Sequence, residues 1–190
     1  MEHKKEELEE YGVVLDFLPT GRSFSTKSEP VSEVVGESKF TLLEVIPKPG
    51  AQMKIGERVY IGKGDRDKIA LIKTRLNHDE LTEVAKNELR NAVYDIIKRN
   101  EARFVELFNT LGPINIREHA LELLPGVGKK NLKSILQARE EKKFENFADI
   151  STRIPQMQDP AKLLAERVIV ELSGETRFYI LTRPYPRKRM

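Results

Sequence analysis

Two periodicities divide the chain. From residue 11 to residue 76, apolar and β-branched residues come in short runs separated by turn residues, the mark of short strands. Four strands are expected, at 11–18, 39–46, 58–61 and 68–73, punctuated by Pro19-Thr20-Gly21-Arg22, Pro47-Lys48-Pro49-Gly50 and Gly62-Lys63-Gly64-Asp65. The polar stretch 21–30, carrying Arg22, Phe24 and Lys27, has the composition of an exposed loop. From Asn77 the period changes. Leu81, Ala85, Leu89, Val93, Ile96, Ile97, Phe104, Phe108 and Leu111 recur every three or four positions, which predicts one long amphipathic helix or two in series. Asn77 and Glu80 are placed as a capping-box start, and Gly112-Pro113 as the stop. An apolar stripe of this kind is core rather than a cofactor box. Residues 114–173 read as further helices, and 176–182 as a final strand that has only the N-terminal sheet to pair with.

This predicts an α+β chain. A charged N-terminal tail (1–10) precedes a small β-barrel domain (11–76, completed by 176–183). A linking helical stretch (77–111), a helical domain (112–175) and a basic tail (184–190) complete it.

Composition adds mainly exclusions. With 33% charged residues but a net charge of only +3, any nucleic-acid surface must be a local patch. There is no Cys, and the three His residues (His3, His78, His119) are scattered, so a disulfide framework, a thiolate metal site and a cysteine nucleophile are excluded and a His cluster is not expected. No run approaches the roughly 20 apolar residues of a membrane span, and a cytoplasmic protein without a membrane partner is expected. High charge without Cys or Trp also suits a hot-living source.

The most specific motif is Leu124-Pro125-Gly126-Val127-Gly128. It stands between an expected short helix at 117–124 and a second at 129–139. Two glycines allow a tight reversal and leave no Cβ between the backbone and an approaching phosphate, while Val127 is expected to point inward to Leu121, Leu132 and Ile135. Amides at the start of the second helix, with the positive end of its dipole and Lys129, Lys130 and Lys133, would form an anion site for one phosphate. The stretch resembles the helix-hairpin-helix family: Leu121, Leu124, Pro125, Gly126, Val127, Gly128, Ile135 and Arg139 fill its slots, with Leu132 where many members have Ala. That resemblance implies sequence-independent binding to the sugar-phosphate backbone through Gly126, Val127, Gly128, Lys129, Lys130, Asn131, Lys133 and Arg139. It also implies a candidate monovalent cation on the carbonyls of Glu122, Leu124 and Val127. A degenerate second hairpin follows, with Phe144, Phe147, Asp149 and Ile150 leading to Ile154-Pro155, but Gln156 and Gln158 replace the glycines. It is expected to stabilise the fold and to receive phosphate poorly, with Lys162 and Arg167 as lesser contacts.

The whole layout resembles an archaeal family of uncharacterised proteins, domain of unknown function 655. It rests on Val14-Leu15-Asp16-Phe17-Leu18-Pro19, Phe40-Thr41-Leu42-Leu43-Glu44, Gly56-Glu57-Arg58-Val59-Tyr60-Ile61-Gly62-Lys63-Gly64 and the hairpin. The resemblance implies a barrel similar to the oligonucleotide-binding fold joined to a tandem helix-hairpin-helix domain, and an RNA or DNA role without an assigned reaction. Candidate barrel contacts are then Lys39, Arg58, Tyr60, Lys63, Arg66, Lys68 and Lys73.

The expectation is a non-catalytic binder of DNA or RNA. One rival is a DNA glycosylase/lyase with Lys130 as Schiff-base amine and Asp149 as its acid; another is a protein-interaction scaffold. Asp65 and Asp67 sit in a turn that favours Asp anyway, and Gly62-Lys63-Gly64 lacks the ending of a phosphate-binding loop. The tail, with Arg183, Arg187, Lys188 and Arg189, is either a solvated terminus or a phosphate-tracking arm.

Overall fold

The computed structural model describes residues 9–23 and 28–185. Phe24, Lys27 and the basic tail beyond residue 185 lie outside the described residues.

Five antiparallel strands form a curled half-barrel: β1 (Tyr11–Leu18), β2 (Val31–Gly36), β3 (Leu42–Pro47), β4 (Arg58–Tyr60) and β5 (Ile69–Arg75), in the order β4-β1-β2-β3-β5. β2 was not among the expected strands. Ser32 and Glu33 interrupt its apolar pattern, yet both are fully buried because the strand is central and carries its own polar partners. Alternation along the strands divides the buried residues between two faces. Val14, Val34, Leu43 and Val45 pack inside the curl with Met53, Val59, Ile61 and Ile69. Val13, Leu15, Val35 and Leu42 face the helices. A bulge between Val14 and Asp16 shifts the β1/β2 register.

The helical stretch after the sheet is two helices in series, α1 (Glu83–Arg99) and α2 (Glu101–Thr110), broken at Asn100, whose side-chain amide donates to Ile96 O at 2.8 Å. Glu80 does reach back to the Asn77 amide at 2.7 Å, but it closes only a 3-10 turn, His78–Glu80. The α-helix itself starts from Thr82, whose hydroxyl accepts from Ala85 N. Then come α3 (Lys129–Glu141), α4 (Phe147–Arg153) and α5 (Pro160–Leu172). One continuous apolar core runs from Val13, Phe40 and Leu42 through Leu89, Ile96 and Phe108 to Leu124, Val127, Ile135 and Leu164. The turn at Gly126 is therefore fixed to the same core as the sheet.

Two expected elements are corrected. Residues 117–124 are not a helix, because the Asn115 side chain accepts the amides of Arg117 and Glu118 at 2.8 and 3.0 Å and so holds the chain in a loop. That loop is pinned by a bridge between Pro113 and His119, and a single 3-10 turn, Ala120–Leu123, follows. Residues 176–182 are not a strand either. Their backbone groups find partners on α5, where the buried Glu171 carboxylate accepts the amides of Ile180, Leu181 and Thr182, and Arg167 donates to Phe178 O. The segment still returns to the sheet, through a hydrogen bond from Arg75 to Arg183 O at 3.0 Å and the Arg75 guanidinium 4.4 Å from the centre of the Tyr185 ring.

Candidate nucleic-acid interface

The turn at residues 124–128 is built for close approach. Val127 N donates to Leu124 O at 3.0 Å, and the Val127 side chain is buried. Gly126 has φ +81°, a left-handed conformation that L side chains rarely adopt. Gly128 differs from expectation: with φ −84° and ψ −179° it has an ordinary extended backbone, and a Cβ there would meet no atom within 4 Å. Its value is openness rather than conformational freedom.

Gly128 is the N-cap of α3 and supplies no side-chain acceptor. The first intrahelical bond is Leu132 N to Gly128 O at 2.9 Å. The amides of Gly128, Lys129, Lys130 and Asn131 therefore have no protein acceptor among the described residues, as at any uncapped helix start. Lys130 and Lys133 are exposed and form no ion pair among the described residues. Lys129 is exposed but pairs with Glu122 at 2.8 Å, and its hydrogen bond holds that carboxyl below its ordinary range. Asn131 is used internally, donating to Gly126 O at 3.1 Å and bracing the turn. Beside the turn, the pinned loop presents a fully exposed Ile116 together with an exposed Arg117.

Arg139 lies on the far end of α3 and is committed elsewhere. Its Nη1 donates to Phe108 O and Leu111 O at 3.1 and 2.8 Å, capping the end of α2. Arg167 is likewise withdrawn from any surface role, being 5% exposed and bound to Glu171, Leu123 O and Phe178 O. Asp149 accepts from Glu145 N at 3.1 Å and pairs with Arg153 at 3.3 Å.

Thirty residues after the first turn the geometry repeats: Met157 N donates to Ile154 O at 3.0 Å, and Met157 and Ile154 are buried as Val127 and Leu124 are. The helix that follows is different. α5 has Asp159 at its N-cap, accepting from Ala161 N at 3.0 Å, and Pro160 at its first position. This helix start already holds a carboxylate, a stronger obstacle to phosphate than the exposed Gln156 and Gln158.

The candidate contacts on the sheet separate into two groups. Arg58 forms a bidentate pair with Glu37 and lies 3.6 Å from the centre of the Tyr11 ring. Tyr60 packs edge-on against Tyr11 and accepts from Gly64 N at 3.1 Å. Lys68 pairs with Glu57 and Lys73 with Glu44. Arg22, expected on an open loop, instead spans the buried Glu33 and Glu44 and donates to Glu80 O. Burial pushes the Glu33 carboxyl up; burial works against ionisation of Glu44 too, but hydrogen bonds from Arg22 and Lys73 hold it below its ordinary range. The other group, Lys39, Lys63 and Arg66, gathers at a cleft of about 380 Å³ with Arg75, Arg183 and Tyr185. Arg75, just past the strand expected at 68–73, and Tyr185 are not among the expected contacts, and Arg183 is expected only as part of a tail that is either solvated or phosphate-tracking; the course of residues 176–185 brings the three to one cleft.

Among the described residues no group of three or more His, Asp or Glu side chains could hold a metal ion, and no helix is long and apolar enough to cross a membrane.

A family model, "Protein of unknown function (DUF655)", matches residues 8–183. The chain is 42% identical over 183 residues to "Uncharacterized protein MJ0038" of Methanocaldococcus jannaschii, a match covering 95% of this chain and 83% of that protein. The crystal structure of Af1531 from Archaeoglobus fulgidus is similar with a TM-score of 0.86 and 43% identity. That match covers 92% of this chain and all of the other.

Proposed function

The chain belongs to the DUF655 family, and we propose that it is a non-catalytic protein that holds DNA or RNA by the sugar-phosphate backbone, with little regard to sequence, at the turn before α3. The observation that carries this reading is the open helix start: consecutive amides without protein acceptors, no Cβ at Gly128, and Lys130 and Lys133 on the following turn. One phosphate there would accept from the amides while the lysines supply charge, and none of these groups touches a base. We read the two turns as a tandem helix-hairpin-helix in which only the first binds, since Asp159 occupies the second helix start. The curled sheet is its companion module, read as similar to an oligonucleotide-binding barrel but left open between its edges β4 and β5. A monovalent cation on the carbonyls of Glu122, Leu124 and Val127 fits the donor set, which is neutral oxygen. Leu124 O keeps a lone pair beyond the one used by Val127 N. Such an ion would add positive charge beside the phosphate.

A lyase reading has less support. Lys130 stands on an open helix face rather than in a dry pocket, and Asp149 is engaged by Arg153. The experiment is a charge reversal. Lys130→Glu with Lys133→Glu should weaken binding to a labelled duplex or single strand by at least about tenfold, ~1.4 kcal/mol, with an unchanged circular dichroism spectrum. Lys162→Glu on α5 should do much less; the reverse order would move the interface to the second turn.

A further inference from the structure

The sheet leaves β4 and β5 as its two edges, and a cleft of about 380 Å³, lined by Ile61 just after β4 and by Ile72 and Arg75 of β5, lies within the roughly 300–1,000 Å³ range of small-molecule sites. Leu43 from β3, Ile61 just after β4 and Ile72 from β5 supply an apolar lining. Lys63 and Arg66, on the turn after β4, and Arg183 and Tyr185, on the returning C-terminal segment, supply the rest.

We propose that this cleft is a site for a single nucleotide, its base against the apolar lining and Tyr185 and its phosphate against Lys63, Arg66 and Arg183. Charge gives the sign of the ligand. Among the described residues that line it, Lys63, Arg66 and Arg183 stand against one carboxylate, Glu9, both of whose oxygens accept backbone amides, those of Ser38, Lys39 and Thr41, at 2.6–3.1 Å. Glu9 thereby fixes the loop before β3, and its single charge is outnumbered by those three cations. One of these cations is held in place: Arg66 Nε donates to Gly62 O at 2.7 Å, leaving its terminal nitrogens to reach an anion. Arg183 is exposed and contributes only its carbonyl to the contact with Arg75.

The apolar lining excludes a bare inorganic anion as the best fit, because it offers such an ion nothing. The cations exclude a neutral apolar ligand. An amphipathic anion with a flat ring satisfies both, and Tyr185 favours the ring, since Arg75 holds one face by a cation–π contact at 4.4 Å. The unpaired sheet edges have the same logic: backbone groups left open at an edge invite a partner, and here they border a cleft rather than another strand. The inference stands apart from the hairpin reading, which concerns phosphate alone. A free nucleoside monophosphate and an unstacked residue of a single strand share this chemistry.

The test is backbone-amide NMR of the full chain, titrated separately with adenosine monophosphate, inorganic phosphate and a short single strand of thymidines. Adenosine monophosphate should shift the amides of Gly62, Lys63, Gly64, Thr182 and Arg183 and bind at least about tenfold more tightly than phosphate. Lys63→Glu with Arg183→Glu should weaken it by a similar factor. If the strand shifts these amides and the mononucleotide does not, the ligand is a residue of a chain, and the site is upheld. If phosphate reproduces the nucleotide's shifts at equal concentration, or no probe shifts these amides, the proposal is overturned. Affinity for duplexes and single strands read on the same samples separates the two sites: nucleotide binding without binding of either sinks the hairpin reading and leaves this one standing.

Discussion

Replacing Gly128 with serine should move stability and binding in opposite directions. The backbone at Gly128 is already that of a normal N-cap, and a Cβ there has no neighbour within 4 Å, so serine enters without strain. Its hydroxyl would accept from the amide of Lys130 or Asn131, supplying the cap that α3 lacks. Because serine exceeds glycine at this position by only a few tenths of a kcal/mol, the melting temperature should rise by about 1 °C or stay level. Binding should fall, since the new cap consumes a donor that the phosphate would use and sets an oxygen lone pair against it. A hydrogen bond to a charged group contributes about 1.5–3 kcal/mol, so the affinity should drop by roughly 10- to 150-fold. Thermal melting and fluorescence anisotropy with one labelled duplex measure both quantities on the same protein. A Gly128→Ser protein that melts normally and binds as the wild type does would refute the use of these amides.

Gly126→Ala tests the neighbouring glycine, whose φ of +81° should cost alanine about 1–2 kcal/mol; that corresponds to roughly 3–6 °C in melting temperature, and an unchanged melt would show that the turn relaxes freely. Arg22→Leu should destabilise the fold by about 3 kcal/mol at neutral pH, because Glu33 and Glu44 are left buried without their shared cation. In the wild type, Glu44 with its lowered carboxyl contributes stability above the ordinary carboxylate range and loses it as pH falls, whereas Glu33, raised by burial, is relieved as pH falls. Without Arg22 both carboxyls take up protons at higher pH in the folded state, so the deficit against wild type should shrink on acidification; chemical denaturation across pH 4–7 reads it, and a pH-independent deficit would contradict the buried pairing.

Much of the local structure was legible because it follows from period and turn chemistry. Four of the five strands, the paired helices after Asn77 and the inward Val127 needed only alternation, three-and-four spacing and glycine placement. What could not be read was where arginines and carboxylates spend their hydrogen bonds. Arg22, Arg139 and Arg167 look like solvent-facing cations in the sequence, but each satisfies buried carboxylates or orphan carbonyls, and distant parts of the chain supply those partners. The same cause removed the last strand: its pattern is β-like, yet Glu171 and Arg167 take its backbone bonds. β2 was hidden for the converse reason, since Glu33 and Ser32 are buried inside it. At the candidate interface, Lys130, Lys133 and Gly128 were recognisable from local motif alone, whereas the cleft with Arg183 and Tyr185 depends on a return of the chain that no local pattern encodes.

The most direct measurement is the salt dependence of binding to several duplexes and single strands of unrelated sequence, by anisotropy from low to physiological ionic strength. With one phosphate at the α3 amides and one more neutralised by each of Lys130 and Lys133, about three counterions should be released, so the logarithm of the association constant should fall linearly with the logarithm of salt with a slope of roughly −2 to −3, nearly the same for every sequence. No binding to any DNA or RNA at low salt, or an affinity that ignores salt, would contradict a backbone-binding function.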